Sequence, residues 1–260
     1  MMNQRSDMMT LFDADEDHGS VKSLVKALSI LEAVAEMDKP STAEVGIFLG
    51  ISRPTVHRIV QTLVTHGYID QDPHSGRLSI GYAVLPLSAS QLDTNRLRLE
   101  ALPHLTILSS TTGERSNLGV LYRNRLLYLA GIEKPDLPQI YTRFGKTAPA
   151  HCCSLGKAIL ANSPELSVSQ LVAKEPLTAQ TDNTITDFGA LREDLAETRR
   201  RGFAIDRAEH MANSYCVAAP IFNSRMQVLG AIGLSGRALE PLLAHTKLLT
   251  QTAERISHVL

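Results

Sequence analysis

Two sets of residues in this 260-residue chain have the types and spacing to do chemistry. The first lies in Ile51–Ile69, a stretch that holds Arg53, His57, Arg58 and His66 and no acidic residue. Arginine pairs bidentately with guanine and glutamine with adenine, while serine and threonine hydroxyls suit phosphate oxygens. Ser52, Arg53, Thr55, His57, Arg58 and Gln61 fall outside the apolar stripe Val56, Ile59, Val60, Leu63 and Val64, so their side chains are free to face a nucleic acid. The second set is Ser154 and Leu155, at the start of a helical run, with Asp206, Cys216 and Ser235 at strand ends further along. A helix start offers backbone amides to an anion. The three side chains add hydrogen-bonding groups around it.

Two other chemistries draw on the same region. His151, Cys152, Cys153, Asp206, Glu209, His210 and Cys216 are all metal-ligand types, but they lack the paired C-x-x-C spacing of a zinc site. Cys153 or Cys216 with His151 makes a nucleophilic pair conceivable, and Cys153, at a helix start, is expected to have a lowered pKa. Each residue also has a plain structural use, Cys216 as a small buried apolar side chain and Ser235 in a turn. A metal-binding regulator and a cysteine-dependent enzyme therefore stand as alternatives to a ligand pocket. No catalytic residue, metal or cofactor is assigned.

The elements that must hold the first set are legible in the spacing. Val21, Leu24, Val25, Leu28, Leu31 and Val34 recur at helical intervals from Val21 to Met37. Pro40 ends that helix. Ser41 or Thr42 caps a second one, running through Val45 and Phe48 to Gly50. Ser52 caps a third, with Pro54 in its first turn, as far as Gly67. A glycine turn between the last two is the pattern of a helix-turn-helix, whose second helix enters the major groove. Tyr68–Asp70 and Arg77–Ile80 flank the turn-rich Asp72–Gly76 and predict a hairpin, which makes the module winged. Arg53 and Gln61 are expected nearest base edges, and Thr55 and Arg58 nearest phosphates. Thr42 on the preceding helix and His74 and Arg77 on the wing complete the surface. The same outward side chains also fit a solvated or protein-binding face.

After a linker region, 83–103, that contains Pro86 and Ser88, the stripe Leu97, Ala101, Leu105 and Leu108 predicts a helix up to Thr112-Gly113. Strands are expected at Ser116–Val120, Leu126–Ile132, Gln139–Phe144, Phe203–Asp206, Cys216–Ile221 and Val228–Leu234. Helices are expected at Ser154–Ala161, Asp187–Arg201 and Pro241–Leu260. Strand runs with helices beside them imply an α+β domain on an antiparallel sheet over 104–260. The expected organisation is thus an N-terminal all-α winged helix-turn-helix, 21–82, joined to that C-terminal domain.

Composition sets outer bounds. Hydrophobic residues at 43% and charged residues at 20% place the chain among ordinary globular proteins. The net charge of −1 hides an acidic arm, residues 1–20, in which Arg5 stands against Asp7, Asp13, Asp15, Glu16 and Asp17; it is expected to be disordered. Three cysteines do not make a disulfide framework. No apolar run approaches the roughly 18 residues of a membrane helix, and the first residues lack a signal-peptide core. A cytoplasmic location with no membrane partner is expected.

At this point the chain resembles the IclR family of bacterial transcriptional regulators. The matching stretches are Val25–Leu31 and Ser52–Arg58 in the first unit. In the second they are Ser154–Ala161, Asp206–Glu209 and Cys216–Pro220. The resemblance spans about residues 21–260, and the coupling of a helix-turn-helix to GKA and D-x-x-E with C-V-A-A-P is its specific part. It implies a GAF-like effector domain, a double-stranded DNA operator, a homodimer or homotetramer, and most often repression. It also implies a pocket for a small carboxylate, held by the amides of Ser154 and Leu155 and by Asp206, Cys216 and Ser235. Two positions depart from the family pattern. Gly233 replaces a frequent serine, which predicts lost hydroxyl contact and added space for a ligand bulkier than a two-carbon acid. Asn213 replaces a glycine, and asparagine tolerates positive φ. An acid beside Asp206 needs a protonated or hydroxyl-bearing interface, which a sugar acid can supply.

Overall fold

The computed structural model describes residues 20–134, 144–174 and 176–260. Two compact units divide between Thr94 and Asn95. The acidic arm lies outside the described residues except for Ser20, as does the strand expected at Gln139–Phe144 except for Phe144, which sits in a turn.

The first unit is built from α1 (Lys22–Glu36), α2 (Thr42–Leu49), α3 (Arg53–Thr65), β1 (Ile69–Gln71), β2 (Leu78–Ile80) and α4 (Val84–Thr94). Ser41 caps α2: its hydroxyl accepts the Glu44 amide while the Glu44 carboxylate accepts the Ser41 amide, a reciprocal capping box. Gly50 ends α2 at φ 63, the left-handed conformation that sends the chain into α3. Ile30, Ala33, Val34, Val45, Val56, Val60, Ile69 and Leu78 form the core where the three helices meet the hairpin. β1 and β2 pair antiparallel, Ile69 opposite Ile80. This is the winged helix-turn-helix expected from the sequence.

The second unit opens with α5 (Arg96–Thr112), capped by the Asn95 side chain, which accepts the Arg98 amide. α4 thus closes the first unit and α5 opens the second. Then follow β3 (Arg115–Tyr122), β4 (Arg125–Ile132), β5 (Thr147–Pro149), a 3-10 turn (Ala150–Cys152), α6 (Ser154–Ala161), α7 (Glu165–Lys174) and α8 (Phe188–Arg201). β6 (Ala204–Arg207), β7 (Tyr215–Phe222), β8 (Val228–Gly236), α9 (Leu239–Ala244) and α10 (Thr246–His258) complete it. The expected single C-terminal helix is broken at His245, which caps α9.

The six strands form one antiparallel sheet in the order β5-β4-β3-β8-β7-β6. One face packs on α5 and α10 through Leu97, Ala101, Leu105, Leu249, Ala253 and Ile256. The other receives α6 through Leu155, Ala158 and Ile159, against the small residues Ala204, Ala218 and Ala231. Beyond α6, Leu160 and Ala161 meet Leu171, Leu191 and Leu195 of α7 and α8. All eight residues of α6 are therefore buried, as befits a helix enclosed on every side. Gly156 permits the close approach of the preceding 3-10 turn, since a Cβ there would stand 2.2 Å from the Ala150 carbonyl oxygen. We expect Gly156→Ala to lower the melting temperature by roughly 5–10 °C through overpacking; an unchanged melting curve would contradict this contact.

Candidate functional sites

In the first unit, α3 divides as the sequence predicts. Val56 and Val60 are buried, while Ser52, Arg53, His57, Arg58 and Gln61 are exposed and Thr55 is half-buried. Ser52 does not cap α3 with its side chain; its hydroxyl pairs with that of Thr55 at 2.9 Å. Gln61 donates to Gln71 of β1 at 3.3 Å, a bond that orients it from the wing side. Thr42 is half-buried in the first turn of α2 and His74 is exposed at the hairpin tip. Arg77 has an intramolecular use that the sequence did not reveal. Its guanidinium lies 2.6 Å from Glu44 and 3.2 Å from the Lys39 carbonyl, fastening the wing to the start of α2.

In the second unit, register assembles the other site. Asp206 faces Cys216 across β6 and β7, and Cys216 faces Ser235 across β7 and β8, so the three stand in one row. They open onto a narrow cleft, with about 10 Å³ of free space, that Ser154 and Leu155 also line, together with Asn117, Tyr128, Cys153, His210, Met211, Ser214 and Gly233. The five residues expected from sequence are thus brought together. Asn117 donates its amide to the Ser235 hydroxyl at 3.0 Å, and the Cys216 thiol donates to the same hydroxyl at 3.3 Å. Asn117, Tyr128 and Ser214 were not singled out from sequence, because each is one ordinary polar residue in a strand or loop.

The base of the site rests on a buried ion cluster. Lys157 of α6 is fully buried, and its ammonium reaches Glu209 at 2.7 and 2.9 Å and Asp194 of α8 at 3.0 Å. Glu209 donates its amide to Asp206 Oδ1 at 2.7 Å. Thr184 donates its hydroxyl to the Glu209 carbonyl at 2.6 Å, and Thr181 to the Ala208 carbonyl at 2.7 Å. The turn after β6 is therefore gripped at side chain, amide and carbonyl. Ala208 and Asn213 adopt φ 59 in the loop over the cleft, so Asn213 does take the conformation for which a glycine is usual.

Burial pushes the Asp206 carboxyl up to about 7; the Glu209 amide opposes this, the Glu209 charge adds to it and Lys157 opposes it. Two sequence expectations are corrected. Burial also pushes the Cys153 thiol up to about 12, against the Gly156 amide that lowers it, so the helix start does not activate this cysteine. Gly233 leaves little added room, because a Cβ there would lie 2.7 Å from the Val217 carbonyl and 3.2 Å from the Leu155 side chain. Among the described residues no group of three His, Cys, Asp or Glu side chains is placed to hold a metal ion. None of the described helices is long and apolar enough to cross a membrane.

Two expectations follow. Lys157→Met leaves Glu209 without its cation and Asp194 with only Arg201 at 4.0 Å, and should destabilise the unit by about 3–5 kcal/mol, read by denaturant unfolding. The raised Asp206 pKa means the native state keeps a proton that the unfolded chain releases near 3.8. Its contribution to stability is complete below that value, is lost as pH rises through about 7 and is constant above. Asp206→Asn keeps the acceptor for the Glu209 amide and should remove that part of the pH dependence, on the order of 4 kcal/mol. An unaltered pH profile in the variant would show that Asp206 is not the group responsible.

Comparison with known proteins matches two family models to the chain: the IclR helix-turn-helix domain over residues 23–73 and the bacterial transcriptional regulator IclR C-terminal domain over residues 89–258. The Transcriptional repressor IclR of Escherichia coli (strain K12) is 31% identical over 84% of this chain and 81% of its own length. An IclR transcriptional regulator from Alicyclobacillus acidocaldarius superposes with a TM-score of 0.81 at 27% identity, over 92% of this chain and 98% of that one. An IclR homolog from Microbacterium hydrocarbonoxydans, complexed with 4-hydroxybenzoate, gives a TM-score of 0.74 at 25% identity over 91% of this chain and 98% of that one.

Proposed function

The chain belongs to the IclR family of bacterial transcriptional regulators, and from that premise we propose that it represses a catabolic operon until a small carboxylate occupies the cleft at the start of α6. Membership makes it a DNA-binding regulator with an effector-binding C-terminal domain. The observation that carries the ligand reading is the convergence of the α6 amino terminus with Asp206, Cys216 and Ser235 on one cleft. The bound 4-hydroxybenzoate of the Microbacterium homolog is itself a carboxylate. Asn117, Tyr128, His210 and Ser214 add polar groups to the lining, which suits an acid with several hydroxyls, a sugar acid among them.

On the DNA side, α3 is the reading helix. Arg53 and Gln61 serve base edges, Thr55 and Arg58 serve phosphates, and Ser52, His57, Thr42 and His74 flank them. Arg77 joins only if its pairing with Glu44 opens. The working species is a cytoplasmic homodimer or homotetramer on a duplex operator, because an inverted repeat requires two heads about 34 Å apart or a multiple of that. Val21, just before α1, and Leu24 and Leu28 on it are 63, 57 and 51% exposed, and together with an α4 that buries no residue they leave apolar surface for a second copy. The ligand acts by binding the DNA-competent and incompetent states unequally. The cysteine-enzyme reading has less support at Cys153, whose thiol burial keeps protonated.

Arg58→Ala should weaken binding to specific and random duplexes alike, by about tenfold, and reduce the salt dependence by about one counterion; full affinity for both would overturn the assignment of α3. Calorimetric titration with aliphatic, sugar and aromatic acids tests the cleft. Heat from at least one acid, lost on Ser235→Ala together with Cys216→Ala, is expected. Silence from every acid would remove the carboxylate reading, and silence from the sugar acids alone would remove only that refinement.

A further inference from the structure

The residues lining the cleft include one carboxyl, Asp206, and neither lysine nor arginine. The nearby cation is already committed. Lys157 stands within 3.0 Å of both Glu209 and Asp194, and Arg201 lies 4.0 Å from Asp194, so that with Asp206 ionised this group carries two positive charges against three negative ones. A carboxylate ligand adds a fourth. At low effective dielectric, like charges a few ångströms apart repel strongly, and one of two neighbouring carboxyls keeps a proton instead. The groups facing Asp206 come from every surrounding element. Glu209 and His210 belong to its own loop, Lys157 to α6, Cys152 and Cys153 to the turn before α6, and Cys216 to β7. Asp194 of α8 stands behind Lys157. Of these, only Asp206 is at once a lining residue, buried to 2% exposure and an acid. His210 is half-buried and nearer to water.

We infer that this cleft takes up its acid together with one proton from solvent, which comes to rest on Asp206, so that ligand and protein meet as a carboxylate hydrogen-bonded to a carboxylic acid. This rests on the carboxylate reading above and specifies it. The proton turns the one repulsive group of the lining into a donor. It also selects for ligands whose acid group can share that proton, and against dianions that bring a second uncompensated charge. Since burial already holds the free Asp206 near 7, the unliganded cleft carries that proton only in part at neutral pH, and the ligand completes it.

The test uses the full-length protein with the acids of the calorimetric panel, 4-hydroxybenzoate and gluconate included, from pH 5.5 to 9. In buffers of different ionisation enthalpy the expected result is uptake of up to one proton per acid bound, with Kd weakening about tenfold per pH unit above about pH 7. Asp206→Asn, the neutral isostere, should bind with pH-independent affinity, and above pH 8 more tightly than the unaltered protein. His210→Gln should keep the pH dependence. Binding of an acid above pH 8 with no proton uptake overturns the inference and leaves the carboxylate reading intact. So does a pH dependence that disappears in His210→Gln and persists in Asp206→Asn. If no acid binds even at pH 5.5, where Asp206 is protonated, the carboxylate reading fails and this inference with it.

Discussion

The second unit depends on keeping one ammonium group dry. Lys157 sits in the middle of a helix that is buried along its whole length, so its charge has no route to water. Two carboxylates must come to it, Asp194 from α8 and Glu209 from the turn after β6. A buried ion pair of this kind is costly to form and costlier to break from one side. Its effect here is positional. It ties the outer helix layer, the enclosed helix and the loop that carries His210, Met211 and Ser214 into one frame. The Glu209 amide then holds Asp206 in the lining of the cleft.

Around that frame the sheet does the aligning. Antiparallel register sets Asp206, Cys216 and Ser235 in a row, and small residues at Ala204, Ala218, Ala231 and Gly233 let α6 lie close enough for its first amides to share the same space. The cleft presents a helix start and hydroxyls there rather than a lysine or arginine. The first unit solves a different problem, presenting charge outward. Its hydrophobic core uses one face of α3, and Glu44, by capping α2 and holding Arg77, fixes the wing against the helix pair.

Much of this was legible in the sequence, and what was missed leaves no mark in a local window. The stripes of α1, α3 and α5, the glycine turn at Gly50 and the extent of α6 follow from local spacing, and the cleft residues were marked by position at helix starts and strand ends. β5 spans three residues, too few to show alternation. The break at His245 carries neither glycine nor proline to announce it. The Lys157–Glu209 contact joins positions 52 apart, and the Arg77–Glu44 pair joins positions 33 apart, so no window reads either. Cys153 was misjudged because a helix start argues for a lowered pKa, while enclosure by the rest of the unit, which no local pattern shows, outweighs it.

This molecule reads a duplex sequence, and we propose that an acid in the cleft changes how firmly it does so. The direct measurement is to incubate purified protein with sheared genomic DNA from its own source at physiological salt, with and without an acid shown to bind, and to sequence what is retained. Enrichment of a short inverted repeat, with retention altered by the acid, is the predicted result. Recovery of only random fragments under both conditions would contradict the account.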